Sequence, residues 1–239
     1  MFNLTRLYGE KEDINKENVK EFFDKRADKE VESLMTITSF QDKENLDQRQ
    51  IEESEILLEN IDLTGKKIIE IGCGLGRWAE VFHDKCECYL GLDYAENLIK
   101  LANEYYNYEN CEFQVMSALD INIDELLIKP PFDIIFIAGV LIYLNDEDIS
   151  QMIKEINKIA SKDKIIYIRE TISVMDRRLT LKDFYSQDLD AEYNAIYRTK
   201  DELLEFFKGF ENITNIKSDK IHETLNKHDE TGYRYFILK

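Results

Sequence analysis

From Lys66 onward, short apolar runs alternate with amphipathic stretches, and that texture sets the expected architecture. The runs at 67–71 (KIIEI), 88–93 (CYLGLD), 112–116 (EFQVM), 133–138 (DIIFIA) and 164–169 (KIIYIR) are rich in β-branched and aromatic residues and read as strands. Between them, Leu98, Leu101, Ala102 and Tyr105 share one helical face, as do Ile149, Met152, Ile153, Ile156 and Ala160. Alternation of this kind builds an α/β fold, a mostly parallel sheet with helices on both faces. Two more strands are expected at 212–217 (NITNIK) and 233–238 (YRYFIL). Residues 1–65 instead place apolar groups at helical spacing, Val19, Phe22 and Phe23, then Ile51, Leu57 and Leu58, and predict a helical N-terminal extension that folds over the site as a lid. Residues 66–239 then form the main domain. Within it, 170–198 has little periodicity and many tyrosines, and reads as an excursion over the acceptor site. It ends at Thr199 and Glu202, which are spaced as a helix capping box.

Charge narrows the partners. With 49 acidic and 31 basic side chains the net charge is −18, which disfavours nucleic acid. No long apolar segment or signal-peptide pattern is visible, so a soluble, cytoplasmic protein without a membrane partner is expected. Cys73, Cys86, Cys88 and Cys111 lack the spacing of a zinc site and read as reduced thiols, with no metal expected.

The stretch "KKIIEIGCGLGRWAEVF", residues 66–82, ends a strand in a glycine-rich turn that feeds a helix. Such a turn brings backbone amides and a positive helix terminus against a ligand. The spacing Gly72, Gly74, Gly76 differs from the G-x-G-x-x-G of dinucleotide sites, and an acid, Glu70, precedes it. "E-I-G-C-G-L-G" closely resembles the first motif of class I S-adenosylmethionine-dependent methyltransferases. At the tip of the next strand, the two oxygens of Asp93 suit the hydroxyls of a ribose, although Asp93 can also cap the helix that follows.

The resemblance implies a Rossmann-like, seven-stranded sheet of order 3-2-1-4-5-7-6 with strand 7 antiparallel. It implies S-adenosylmethionine as cofactor, S-adenosylhomocysteine as product, and a cofactor site made by Glu70, Gly72, Cys73, Gly74, Gly76, Asp93, Tyr94, Ser117, Ala118, Leu119 and Ala138. Ser117 stands where the family often has an acid, and Tyr143 where many relatives carry histidine. On the extension, Arg49 is placed to pair with the methionyl carboxylate.

"FFDKRA", "YNAIYRT" and "ETGYRYFIL" resemble bacterial methyltransferases of surface-polysaccharide and modified-sugar biosynthesis. The resemblance implies a small-molecule acceptor, a sugar hydroxyl above all, with nucleotide-linked or phosphorylated sugars among the candidates. N-methylation of an amino sugar or other small metabolite is the alternative. An NAD-dependent oxidoreductase and a cofactor-binding module without chemistry rank lower, and the oligomeric state is open. Tyr143 and Glu170 follow the fourth and fifth strands, where ligands sit in open α/β sheets, and the excursion adds Tyr185, Tyr193 and Tyr197. His222 is the expected base, preferred to His228, on the pKa of histidine and its place between the last two strands. His83 should lie away from the chemistry. Arg177, Arg178 and Arg198 are candidate phosphate holders.

Overall fold

Continuous apolar runs can be buried on both faces of a sheet, and the central strands take that position. The computed structural model describes residues 6–27, 43–186, 191–210, 212–226 and 228–239. Its elements are β1 (Arg6–Tyr8), α1 (Lys16–Ala27), α2 (Lys43–Asn60), β2 (Lys67–Ile71), α3 (Ala79–Phe82), β3 (Cys88–Asp93), α4 (Glu96–Tyr105) and β4 (Cys111–Val115). They continue with β5 (Phe132–Ala138), α5 (Asp146–Ile159), β6 (Ala160–Ser173), β7 (Leu179–Ser186), β8 (Ala191–Tyr197), α6 (Lys200–Phe207), β9 (Ile216–Lys220) and β10 (Thr231–Leu238).

The main sheet has seven strands in the order β4-β3-β2-β5-β6-β10-β9, the expected order. β2, β3, β4, β5 and β6 pair in parallel, while β10 runs antiparallel to both β6 and β9. Alternate residues feed two cores. Ile69, Ile71, Ile135, Ile137, Ile166 and Ile168 pack with Ile149, Met152 and Ile156 of α5 and Leu203 of α6. Ile68, Tyr89, Ile134, Phe136 and Tyr167 pack on the other side with Leu57 of α2, Phe82 of α3 and Ala102 of α4. No helix among the described residues is long and apolar enough to cross a membrane.

Several boundaries differ from expectation. β2 and β3 match, β4 starts one residue early, and β6 runs on to Ser173. β9 is displaced from 212–217 to Ile216–Lys220, a largely exposed edge strand with no apolar run to announce it. Ala160 opens β6 instead of closing α5, and Ile99, not the exposed Tyr105, completes the buried face of α4. The excursion is not irregular: β7 and β8 form an antiparallel pair, and β1, from the N-terminal extension, adds to β7 to make a second, three-stranded sheet.

Residues 28–42 lie outside the described part of the extension. α2 departs from the expected apolar face, since Ile51 and Leu58 are exposed. Its buried positions are Leu46, Arg49, Glu53 and Leu57, a helical stripe with an ion pair's worth of charge in its middle. Glu53 has no solvent exposure and accepts hydrogen bonds from Arg169 Nε at 3.2 Å and the Tyr167 hydroxyl at 3.2 Å. Removing one partner from a buried charge pair strands the other, at a cost of roughly 3–5 kcal/mol. Glu53→Gln should therefore lower the free energy of unfolding by about that amount in urea titrations.

Candidate active site

The carboxyl ends of β2, β3, β4 and β5 open into a cleft of about 1120 Å³, roofed by α1 and the second sheet. Small-molecule sites typically span roughly 300–1,000 Å³, so this cleft has room for two reactants. At its floor lies the glycine turn. Gly72, Gly74 and Gly76 have φ of 71°, 54° and 73°, the left-handed region that glycine enters without penalty. Gly74 N–H donates to Asp93 Oδ2 at 2.9 Å, and Ala95 N–H donates to Asp93 Oδ1 at 2.9 Å. One carboxylate thus ties the turn to the start of α4, while it also lines the cleft.

Glu70, Gly72, Cys73, Gly74, Asp93, Tyr94, Ser117, Ala118, Leu119, Ala138, Arg49 and Tyr143 all line the cleft, as do Tyr185, Tyr193 and Tyr197. Gly76 does not. A Cβ there would sit 2.2 Å from Phe113 Cε1, so this glycine serves packing against β4.

Two expected catalytic residues are corrected. Glu170 is buried, and its Oε2 accepts the amides of Val140 at 3.1 Å and Leu141 at 2.6 Å, so it holds backbone and does not face the cleft. In β6 it is the flanking Arg169 and Thr171 that line the cleft, as the two-residue period of a strand requires. His222 has no exposure, pairs through Nδ1 with Glu52 at 2.8 Å, and lies outside the cleft lining. His228 stands at the exposed rim instead, and His83 stacks on Tyr108, away from the cleft. Arg178 and Arg198 are buried against Asp146 and are not open to a phosphate. Arg177 lies over the Tyr8 ring.

The sequence reading missed Arg77, Trp78 and Arg169, which line the cleft, and Glu53 behind them. Arg77 and Trp78 follow the glycine motif directly, which is the signal that could have found them. Burial opposes ionisation of Glu53, yet Arg169, His222 and Arg77 hold its pKa down to about 2. Burial pushes Glu70 the other way, to about 8, against a hydrogen bond from the Tyr89 hydroxyl and the charges of Arg77 and Arg169. Arg49, Arg77 and Arg169 thus gather around the ionised carboxylate of Glu53, while burial favours the neutral form of Glu70. Burial and the neighbouring Arg169 lower the Arg49 pKa to about 10, and its Nε has no hydrogen-bond partner among the described residues. Trp78 Nε1 and Gln50 Nε2 are buried and unpartnered too. Donors in this state fit an anionic group such as the carboxylate of an amino acid.

A family model described as "Methyltransferase domain" matches residues 68–163. That stretch runs from β2 to the start of β6 and includes the glycine turn and Asp93. The fold is that of solved S-adenosylmethionine-dependent methyltransferases. Phosphoethanolamine N-methyltransferase 1 of Caenorhabditis elegans is 27% identical over 162 residues, which cover 67% of this chain and 32% of that protein. The chain thus spans about a third of the length of that curated relative. Among solved structures, the DhpI–S-adenosylhomocysteine complex aligns over 94% of this chain and 96% of its own, with a TM-score of 0.64 at 14% identity. The Haemonchus contortus phosphoethanolamine N-methyltransferase 1, in complex with phosphoethanolamine and S-adenosylhomocysteine, aligns over 93% of this chain and 48% of its own, with a TM-score of 0.65 at 17% identity. A sugar acceptor, expected from the sequence, has no counterpart among these three.

Glu53 and Glu70, both buried, are shifted in opposite directions. The folded pKa of Glu70 lies above its unfolded value, so its contribution to stability declines as pH rises from about 4.5 to about 8. Glu70→Gln, which imitates the protonated acid, should gain thermal stability relative to wild type across that window and show no gain below it. Parallel melting curves from pH 4 to 9 check this.

Proposed function

We propose that this chain transfers the methyl group of S-adenosylmethionine to the nitrogen of a small amine that carries an anionic group, with phosphoethanolamine as the reference compound. One observation carries this reading: the cleft joins an aromatic wall to a surplus of cations. Phe23, Tyr143, Tyr193, Tyr197 and Tyr233 line it, and Arg6, Lys16, Lys20, Arg49, Arg77 and Arg169 outnumber the lining carboxylates Glu17, Glu70, Asp93 and Glu230, although Arg6 is paired with Glu230 and Arg169 with Glu53. Aromatic faces stabilise an ammonium group by about 0.5–2 kcal/mol each, and cations select a phosphate or carboxylate. The relatives named as phosphoethanolamine N-methyltransferases agree with that chemistry.

An amine also asks less of the protein than a hydroxyl does. Glu170 and His222, the expected bases, are turned away from the cleft; the bound ammonium would give a proton to water, and the neutral amine's lone pair would then form the N–C bond as the C–S bond breaks and S-adenosylhomocysteine leaves. The cofactor supplies an activated methyl on sulfur. What remains for the chain is to hold, align and dehydrate, and alignment can supply roughly 7–11 kcal/mol. In this reading Asp93 holds the ribose and Arg49 the methionyl carboxylate, with the unpartnered Nε1 of Trp78 a further donor in the cleft lining. Tyr143 and Tyr193, whose hydroxyls lie 3.1 Å apart, orient the amine. Burial, then Tyr143 and Tyr197, raise the Tyr193 pKa well above its ordinary value, so this hydroxyl works as a neutral partner.

Methyl transfer from labelled S-adenosylmethionine should be measured with phosphoethanolamine, ethanolamine and sugars. Turnover of phosphoethanolamine, with ethanolamine at least about tenfold poorer in kcat/KM for want of the anion, is expected. Transfer to a sugar hydroxyl with none to either amine would sink the proposal. In calorimetry, Asp93→Ala and Arg49→Ala should each weaken S-adenosylhomocysteine binding by roughly 1.5–3 kcal/mol, the range for hydrogen bonds to charged groups. Unchanged affinity with an intact fold would remove that residue from the cofactor site.

A further inference from the structure

Two buried charged groups converge on the short segment that carries Tyr143, and neither reaches the cleft. The segment runs from the end of β5 through a 3-10 turn at Leu141–Tyr143 to α5. Leu141 is fully buried beneath it, while Val140, Ile142, Tyr143 and Leu144 line the cleft. From one side Glu170 Oε2 takes the amides of Val140 and Leu141. From the other, Arg198 Nη1 donates to the Leu141 carbonyl at 2.8 Å, and Nη2 donates to the Leu144 carbonyl at 2.7 Å. Arg198 also donates through Nε to Asp146 Oδ1 at 2.9 Å. Arg178 grips Asp146 Oδ2 at 3.1 Å and Glu202 at 2.9 Å, closing the network on α6.

We infer that Arg198 and Glu170 are positioning residues that act through Tyr143, setting the acceptor wall of the cleft. This rests on the proposed role of Tyr143 at the acceptor. The donors and acceptors they satisfy are the peptide groups on both sides of that one residue. Burying a carboxylate and a guanidinium is costly, and a turn that only connected a strand to a helix could be closed by solvent-exposed caps. Chain position sharpens the point. Arg198 directly follows Tyr197, and Tyr193 lies one residue before Asn194 in the same strand, β8. A single strand thus brings the tyrosine that meets Tyr143 and ends next to the arginine that fixes its turn. Any shift of β8 moves both together, so the aromatic wall keeps its shape as a unit.

The inference separates by measurement from a purely structural role. Arg198→Lys keeps a cation opposite Asp146 but cannot serve two carbonyls at once, and Glu170→Gln keeps shape but loses the carboxylate. Each should lower turnover of the amine acceptor roughly 10- to 100-fold while S-adenosylhomocysteine affinity stays within about threefold. Each should also speed hydrogen exchange of the amides of residues 140–144 by about tenfold or more without acceptor present. In a Tyr143→Phe background the turnover loss should shrink, because coupled residues are not additive. In the wild type, burial raises Glu170 to about 7 against Arg169 and the amides of Leu141, Thr171 and Val140, and Arg198 and Tyr197 also face it. Protection of the Val140 and Leu141 amides, corrected for intrinsic exchange, should accordingly fall as pH drops through about 7, and stay flat in Glu170→Gln. Unchanged exchange in both variants would overturn the clamp, and an undiminished turnover loss beside Tyr143→Phe would overturn its action through Tyr143. Should wild type leave phosphoethanolamine and other amines unmethylated, the acceptor reading falls, and the exchange measurements still decide the clamp.

Discussion

Glu53 is the fixed point of this molecule. It sits on α2, with no solvent exposure, beneath Arg169, Arg77 and His222, and it joins the N-terminal extension to the carboxyl end of the sheet. A buried ion pair adds little net stability compared with well-packed apolar groups, so its worth lies in geometry. It aligns Arg169 beside Gly139, where Nη1 lies 3.0 Å from the place a Cβ would occupy. Without that anchor α2 would have no reason to bury charged residues, and Arg49 would have no fixed approach to the cleft.

The same arrangement explains how an acidic chain offers an anion a home. The overall charge is −18, yet Arg6, Lys16, Lys20, Arg49, Arg77 and Arg169 converge on one cleft. Low-dielectric walls concentrate their field there, while the acidic exterior holds nonspecific polyanions off. Pushing Glu70 toward its neutral form removes a countercharge that would otherwise spend this potential inside the protein.

How much of this could be read from sequence follows from burial geometry. β2 and β3 were legible to the residue because central parallel strands are continuous apolar runs. β9 was misplaced because an exposed edge strand needs no apolar side chains. β7 carries a register irregularity between Leu181 and Phe184 and a left-handed Asp183, which breaks the two-residue period that would have revealed it. α2 defeated an apolar reading because its inward stripe holds Arg49 and Glu53. Gly72, Gly74 and Asp93 line the cleft because the turn itself fixes them there. Glu170 missed the cleft by the one-residue alternation that a linear motif does not display.

The roof of the cleft has a kinetic consequence. β1 pairs with β7, and the Tyr8 hydroxyl donates to Glu230 at 2.9 Å across a separation of 222 residues. Closing so long a loop from an unfolded chain costs roughly 5 kcal/mol in entropy beyond the constant term. Once the seven-stranded sheet has formed, the ends to be joined are already close and the penalty falls. Folding order follows from this: the floor of the cleft, built from contacts nearer in sequence, assembles early, and the second sheet docks late. The last contacts to form in the chain are then the ones that roof the cleft, so a nascent or partly unfolded molecule would hold the glycine-turn floor well before the cleft is enclosed.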